Sequence, residues 1–411
     1  MKRFRILLVG LLLAMLTLAA CGTPNTASPS TQQNTTAPVD VAPTEAPAET
    51  AAAAVETAAP AAETAAAAEG TTAPAAGGSG ETIKIWSSLP RQGASKGQTD
   101  AVVNSIKMRL EEANYQVCDG KYTIQYEDKD DATAAAGQWD PAAETANAQA
   151  AVADPDVMVY IGTFNSGAAK LSMPILNQAN LVMISPANTY TGLTKPGLGE
   201  PGEPEKYFPT GNRNYTRVVT ADDVQGAAAA QWANDQGLKS VFILDDQEVY
   251  GVGVADVFEK KAKELGMEVV DRQGIDGSAS DFRALATTIN SKAPDLVYFG
   301  GIVDNNAGQL LKDIRSVGYQ GAFMGPDGIN VESMITGAGT ESAEGMYSTQ
   351  AGTPNDQLPA AGKDFLTNYE AKYGAAPESY GIYGYDAAGV ALEALNATCT
   401  KDREAIRDAV F

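Results

Sequence analysis

Beyond residue 80 the chain alternates short runs of apolar residues with longer segments whose apolar positions recur every three to four residues. Runs that are apolar throughout read as strands buried on both faces, and the recurring pattern reads as amphipathic helix. The clearest unit is Val157–Thr189. Val157–Ile161 is an apolar run, residues 162–167 a turn of small and polar residues, Ala168–Ala179 an amphipathic segment, and Leu181–Ser185 a second apolar run. That is strand, tight turn, helix, strand: one βαβ unit of a parallel sheet. Upstream, the pattern predicts a strand at Thr82–Ser87 and a helix at Gln98–Asn114 with Val102, Ile106 and Leu110 on one face. A strand at Tyr122–Tyr126 and a helix at Pro141–Val152 follow.

A second series begins after Val219. It holds helix Val224–Gln236 capped by Asp222, strand Ser240–Leu244, then Tyr250-Gly251 ahead of helix Gly253–Leu265. Strand Glu268–Asp271 leads to helix Phe282–Ser291 capped by Asp281, strand Asp295–Gly300 and helix Asn306–Val317. Strand Ala322–Gly325 then runs into Pro326-Asp327-Gly328. Strands alternating with helices of this length imply doubly wound α/β domains. Extended crossings near Arg217–Thr220 and Gly345–Ala351 divide the chain into two Rossmann-like lobes with a hinged cleft between them. One lobe is residues 81–217 with 351–411, the other 218–350.

Ligands of open α/β sheets sit outside the carboxyl ends of the strands. Both strands of the Val157–Thr189 unit end in small polar residues, Asn165 and Ser166 after the first, Asn188 and Thr189 after the second. Ser166 and Gly167 also open a helix, where free N–H groups and the dipole favour an anion such as a carboxylate. The unit therefore predicts a site for something small and anionic at one end. Between Thr189 and about Tyr215 the pattern fails in a stretch rich in Pro and Gly. A loop this long is either functional, such as a lid over the site, or a passive insertion.

The amino terminus adds an address. Met1–Arg5 is basic, Ile6–Ala20 is apolar, and Cys21 follows, which predicts a signal peptide over residues 1–21. Leu18-Ala19-Ala20-Cys21 resembles a bacterial lipobox, implying lipidation of Cys21 and attachment to the outer face of a membrane. Residues 22–80 are dominated by Ala, Thr, Pro and Glu without Lys or Arg, and predict a disordered tether. The 51 acidic against 29 basic residues leave no basic stripe for nucleic acid. Histidine is absent, which removes Ser-His-Asp and Cys-His catalysis and most zinc sites. Asp128, Asp130 and Asp131 are read as a solvated strand end rather than a metal cluster. Cys118 and Cys399 are either a disulfide or two free buried thiols.

From Thr82 to Thr398 the sequence resembles the binding proteins of branched-chain amino acid ABC transporters, the leucine/isoleucine/valine-binding type of periplasmic binding protein type I. The resemblance is carried by Tyr250-Gly251, Tyr298-Phe299-Gly300-Gly301, residues 323–328 (Phe-Met-Gly-Pro-Asp-Gly), Glu341–Gly345 and Ile184-Ser185-Pro186-Ala187. It implies capture of a free amino acid without a cofactor. Ser166, Thr189 and the backbone N–H of Ala187 would hold the carboxylate. The Ala187 carbonyl and the Thr189 hydroxyl would accept from the ammonium, with Asp327 as its counter-charge; Asp222 joins the candidate set. Tyr250 and Tyr380 would be aromatic walls, and Phe164 and Ile302 would shape the side-chain pocket. Three departures fall on that pocket: Ile302 where a tyrosine can stand, Lys96 where an aromatic often sits, and the long 191–213 loop. The implied partner is the permease of an ABC importer, the protein itself acting as a monomer. Alternatives are an extracellular sensor of the same fold or a binder of amides or urea-like solutes. Arg403–Phe411 reads as the start of a helix where the family continues, so the chain is expected to stop short.

Overall fold

Two parallel sheets organise the chain. The structure, a computed structural model, describes residues 80–411. The leader, Cys21 and the 22–80 segment up to residue 79 lie outside the described residues. The first sheet contains β1 (Glu81–Leu89), β2 (Gln116–Val117), β3 (Tyr122–Asp130), β4 (Val157–Gly162), β5 (Val182–Ser185) and β6 (Tyr215–Arg217). Its order is β2-β3-β1-β4-β5-β6, parallel throughout except for the β2–β3 pair. The second contains β7 (Ser240–Asp245), β8 (Glu268–Gly274), β9 (Leu296–Gly300), β10 (Ala322–Gly325) and β11 (Met346–Ser348), all parallel, in the order β11-β10-β9-β7-β8.

The apolar runs become strands because helices cover both sheet faces, leaving no polar side to alternate with. Every residue of β4 and of β9 is buried. Val102, Ile106 and Leu110 of helix Lys96–Glu112 are buried in the core of the first sheet. Helix Gly381–Thr398 packs beside them, and Gly384 permits the close approach: a Cβ there would stand 2.5 Å from the Val102 carbonyl oxygen. Cys118 and Cys399 form a disulfide, their Cα atoms 5.6 Å apart, tying the end of that helix to the start of β3.

Several boundaries differ from expectation. Asp222 is not a cap: helix Asp222–Asp235 begins at it, Ala221 occupies the cap position, and the Asp222 side chain turns into the interior. Asp281 bonds the Arg283 N–H, so its helix is Arg283–Lys292, one residue later. Tyr250 and Gly251 lie inside helix Val249–Glu264 rather than ahead of it. Asp131 is no solvated strand end. It is fully buried next to the buried Glu144, while Asp128 pairs with Arg91 at 2.9 Å. The 191–213 loop is built around Glu203, 3% exposed, which accepts from Tyr190, Tyr207 and the Glu200 N–H and pairs with Lys170 and Lys206. Residues 403–410 form a further helix under the first sheet.

Candidate functional site

The carboxyl ends of β4 and β5 face those of β9 and β10 across the gap between the sheets. A cavity of about 20 Å³ remains there. Phe164, Ser166 and Ala187 line it from the first lobe with Tyr380, and Tyr250 and Ile302 line it from the second. Six of the predicted residues are thus brought to one space. The volume matches one or two waters, so the lobes stand closed and must part for any larger solute.

Behind the cavity lies a buried polar cluster containing the other three predicted residues. Asp327 is 1% exposed and opens a short 3-10 turn, Asp327–Ile329, after β10. Its Oδ1 accepts from Tyr250 Oη at 2.5 Å and from Gln225 Nε2 at 2.9 Å. Its Oδ2 accepts from Tyr380 Oη at 2.5 Å. Burial pushes this carboxyl up, and the three donors pull it back. Asp222, also 1% exposed, accepts from the same Gln225 amide at 3.2 Å. Burial, followed by the nearby Asp327 charge, holds Asp222 well above the usual carboxylate range, opposed by the Thr189 hydroxyl, which lies near it without hydrogen-bond geometry, and by Arg217 and Gln225. Thr189 passes its carbonyl to the Asp222 N–H at 2.9 Å. Among the described residues, Thr189 Oγ1, Asp222 Oδ2 and Gln225 Oε1 are buried without a hydrogen-bond partner. Orphaned buried acceptors cost stability, and a ligand's donors beside the cavity would satisfy these.

The neighbouring helix terminus is donor-rich. Helix Ser166–Gln178 starts at the cavity wall with Ser166, whose hydroxyl oxygen also receives the Tyr190 N–H at 3.4 Å. The Ala187 N–H is bonded to Ser185 Oγ at 3.2 Å, which revises its expected role as a donor to the ligand. Phe164 sets its ring edge-on to Tyr380 at 5.3 Å, fixing one wall. A buried acid cluster next to a helix amino terminus offers partners for both ends of a zwitterion.

The sequence reading missed two amide side chains here, Gln225 and Gln98, and named a third, Asn165, only as a polar strand end. Gln225 bridges both acids, Asn165 lines the cavity, and Gln98 donates from the first lobe to the Asp327 carbonyl at 3.2 Å. A second bridge closes the lobes nearby: the Asp304 carboxylate accepts from the Ala94 N–H at 2.5 Å, the Ser95 N–H at 3.0 Å and the Ser95 hydroxyl.

Known proteins share this architecture. An amino acid binding protein of Pseudomonas aeruginosa is 27% identical over 265 residues, 64% of this chain and 66% of that protein. A Leu/Ile/Val-binding protein homolog of Brucella abortus is 28% identical over 255 residues, 62% of this chain and 64% of that protein. These matches span slightly less than two thirds of the relatives' own length. Among solved structures, the leucine binding protein LivK of Thermotoga maritima aligns with a TM-score of 0.69 at 26% identity, covering 80% of this chain and 87% of that one. The branched-chain amino acid transporter substrate binding protein LivJ of Streptococcus pneumoniae, in complex with isoleucine, shares the fold with a TM-score of 0.68 at 24% identity over 80% of this chain and 88% of that one. The sequence matches the periplasmic binding protein family over residues 82–410, and the chain belongs to that family.

Proposed function

We propose that this protein captures a free amino acid between its lobes and delivers it to the membrane permease of an ABC importer. The observation that carries this reading is the set of unpartnered buried polar atoms, Thr189 Oγ1 and Asp222 Oδ2, beside Asp327 and close to the Ser166 helix terminus that lines the cavity. The ammonium binds at the acid cluster and the carboxylate at the helix terminus. Phe164, Tyr250, Ile302 and Tyr380 enclose the side chain. Branched-chain amino acids are the first ligands to try, a choice supported by relatives named for binding leucine, isoleucine and valine.

Binding works through closure. The ligand contacts both lobes only when they are together, so it shifts the equilibrium toward the closed form that a permease recognises. The lobes swing on the crossings near residues 217–220 and 345–351. Lipid at Cys21 and the 22–80 tether hold the receptor on the outer face of the cytoplasmic membrane. A thermal-shift screen of free amino acids tests the reading. A ligand at a hundred times its dissociation constant stabilises by about 2.7 kcal/mol. A set of amino acids that leaves the melting temperature unmoved contradicts it.

A further inference from the structure

The Asn165 side-chain oxygen has no partner in the protein among the described residues. The residue occupies the cap position of helix Ser166–Gln178 with extended backbone, φ −81° and ψ 133°, yet its side chain makes no capping bond. Asparagine is among the best capping residues because its side-chain oxygen accepts from the first free N–H groups of the helix. Here that bond is forgone. The side chain lines the inter-lobe cavity instead, and among the described residues its Oδ1 is buried without a partner. The residue is held firmly from behind: Thr163 Oγ1 donates to its carbonyl at 2.7 Å, and Asn188 Nδ2 donates to the Phe164 carbonyl at 2.9 Å.

Beside Asn165, Ser166 adds a hydroxyl to the same cavity wall. Gly167 lies against the Trp139 ring, with a Cβ position 2.9 Å from it, and the same position is 3.7 Å from the Glu248 carboxylate of the second lobe. A pocket meant only for an aliphatic side chain gains nothing from an unsatisfied amide, which costs free energy each time an apolar group covers it. Phe164, Ala187, Tyr250, Ile302 and Tyr380 enclose the rest of a cavity of about 20 Å³, so a long side chain would have to push these walls apart. We infer that Asn165 selects the ligand's side chain, and that the preferred ligand is an α-amino acid whose short side chain carries a hydroxyl or carboxamide. This rests on the amino-acid reading of the site and revises its aliphatic starting point.

The test is calorimetric titration of the protein with two shape-matched pairs, threonine against valine and asparagine against leucine. The polar member of at least one pair is expected to bind about five- to tenfold tighter, the worth of one satisfied hydrogen bond. Asn165→Leu is expected to abolish or reverse that ratio while valine or leucine still binds. Valine and leucine binding as tightly as their polar partners overturns the inference and leaves the amino-acid reading standing, and this comparison needs no variant. An unchanged ratio in Asn165→Leu, or in Asn165→Ala, also overturns it. Failure of every amino acid to bind overturns the amino-acid reading first, and this inference with it.

Discussion

Tyr380, packed with the first lobe, donates its hydroxyl to Asp327 of the second at 2.5 Å. A carboxylate that one lobe supplies and the other helps to satisfy links charge to closure. Tyr250 and Gln225 of the second lobe hold Asp327 in place when the lobes part. Asp327→Ala is expected to weaken amino-acid binding by about 2–5 kcal/mol, the usual cost of stranding a buried charge. Tyr380→Phe removes one neutral donor and is expected to cost about 1 kcal/mol. Titration calorimetry on both variants reads the ordering, and equal effects contradict the pairing.

Asp304 latches the lobes independently of the ligand. Its carboxylate takes both the Ala94 and Ser95 N–H groups and the Ser95 hydroxyl. Asp304→Ala is expected to enlarge the radius of gyration of the unliganded protein in solution scattering and to weaken binding by about 1.5–3 kcal/mol, the range for hydrogen bonds to a charged group. Saturating ligand restores the compact form. An unchanged radius and affinity would falsify the latch.

Glu144 gives the fold a pH dependence of definite sign. Fully buried, it accepts from Ser88 at 2.6 Å and from Tyr160 at 3.0 Å, and burial pushes it up to about 7 despite those donors. The folded state therefore keeps a proton that the unfolded state has lost above its ordinary value of 4.5. Stability is expected to fall as pH rises from about 4.5 to 7, by up to about 3 kcal/mol, and then to level off. Glu144→Gln removes the Glu144 share of that slope and leaves the part of the same sign that the neighbouring buried Asp131 contributes. Denaturant midpoints measured across the window, identical in slope for both proteins, refute the assignment.

The Cys118–Cys399 disulfide closes a loop of 281 residues. Reduction releases that constraint on the unfolded chain and is expected to lower stability by up to about 5 kcal/mol. Both cysteines lie in the first lobe, away from the cavity, so ligand affinity at low temperature should stay within about a factor of two. Calorimetric scans with and without reductant measure the first effect, and titration the second.

Much of the fold was legible because its strands are buried on both faces and must be written as apolar runs. Val157–Ile161 and Ser240–Leu244 needed no other signal. Boundaries slipped where close packing intervened: Gly251 lets its helix begin early, since a Cβ there would stand 2.4 Å from the Gly300 carbonyl oxygen. Asp222 read as a cap by its position, but its use is set by Gln225 and by Asp327, a residue far along the chain. Asp327 itself looked like an ordinary turn residue until the family resemblance gave it a charge to meet. Gln225 and Gln98 left no trace in any pattern, because an amide's role is fixed only by what the other lobe brings to it. Asn165 had a detectable signal, a strong capping residue at a strand-to-helix turn, whose other use appears only when the cap bond is found missing. The Glu203 hub was hidden for the same reason: its two lysines and two tyrosines are gathered by the loop's path, not by spacing.

The most direct test of the account is calorimetric titration of the protein with a tight-binding amino acid, with its N-acetyl derivative and with the corresponding decarboxylated amine. On the proposed reading the acid cluster around Asp327 takes the ammonium and the Ser166 helix terminus takes the carboxylate. The account predicts measurable binding of the free amino acid alone, with both derivatives weakened by at least about a hundredfold, the scale of leaving a buried charged group unpaired. Comparable affinity for the N-acetyl derivative or the amine would contradict it.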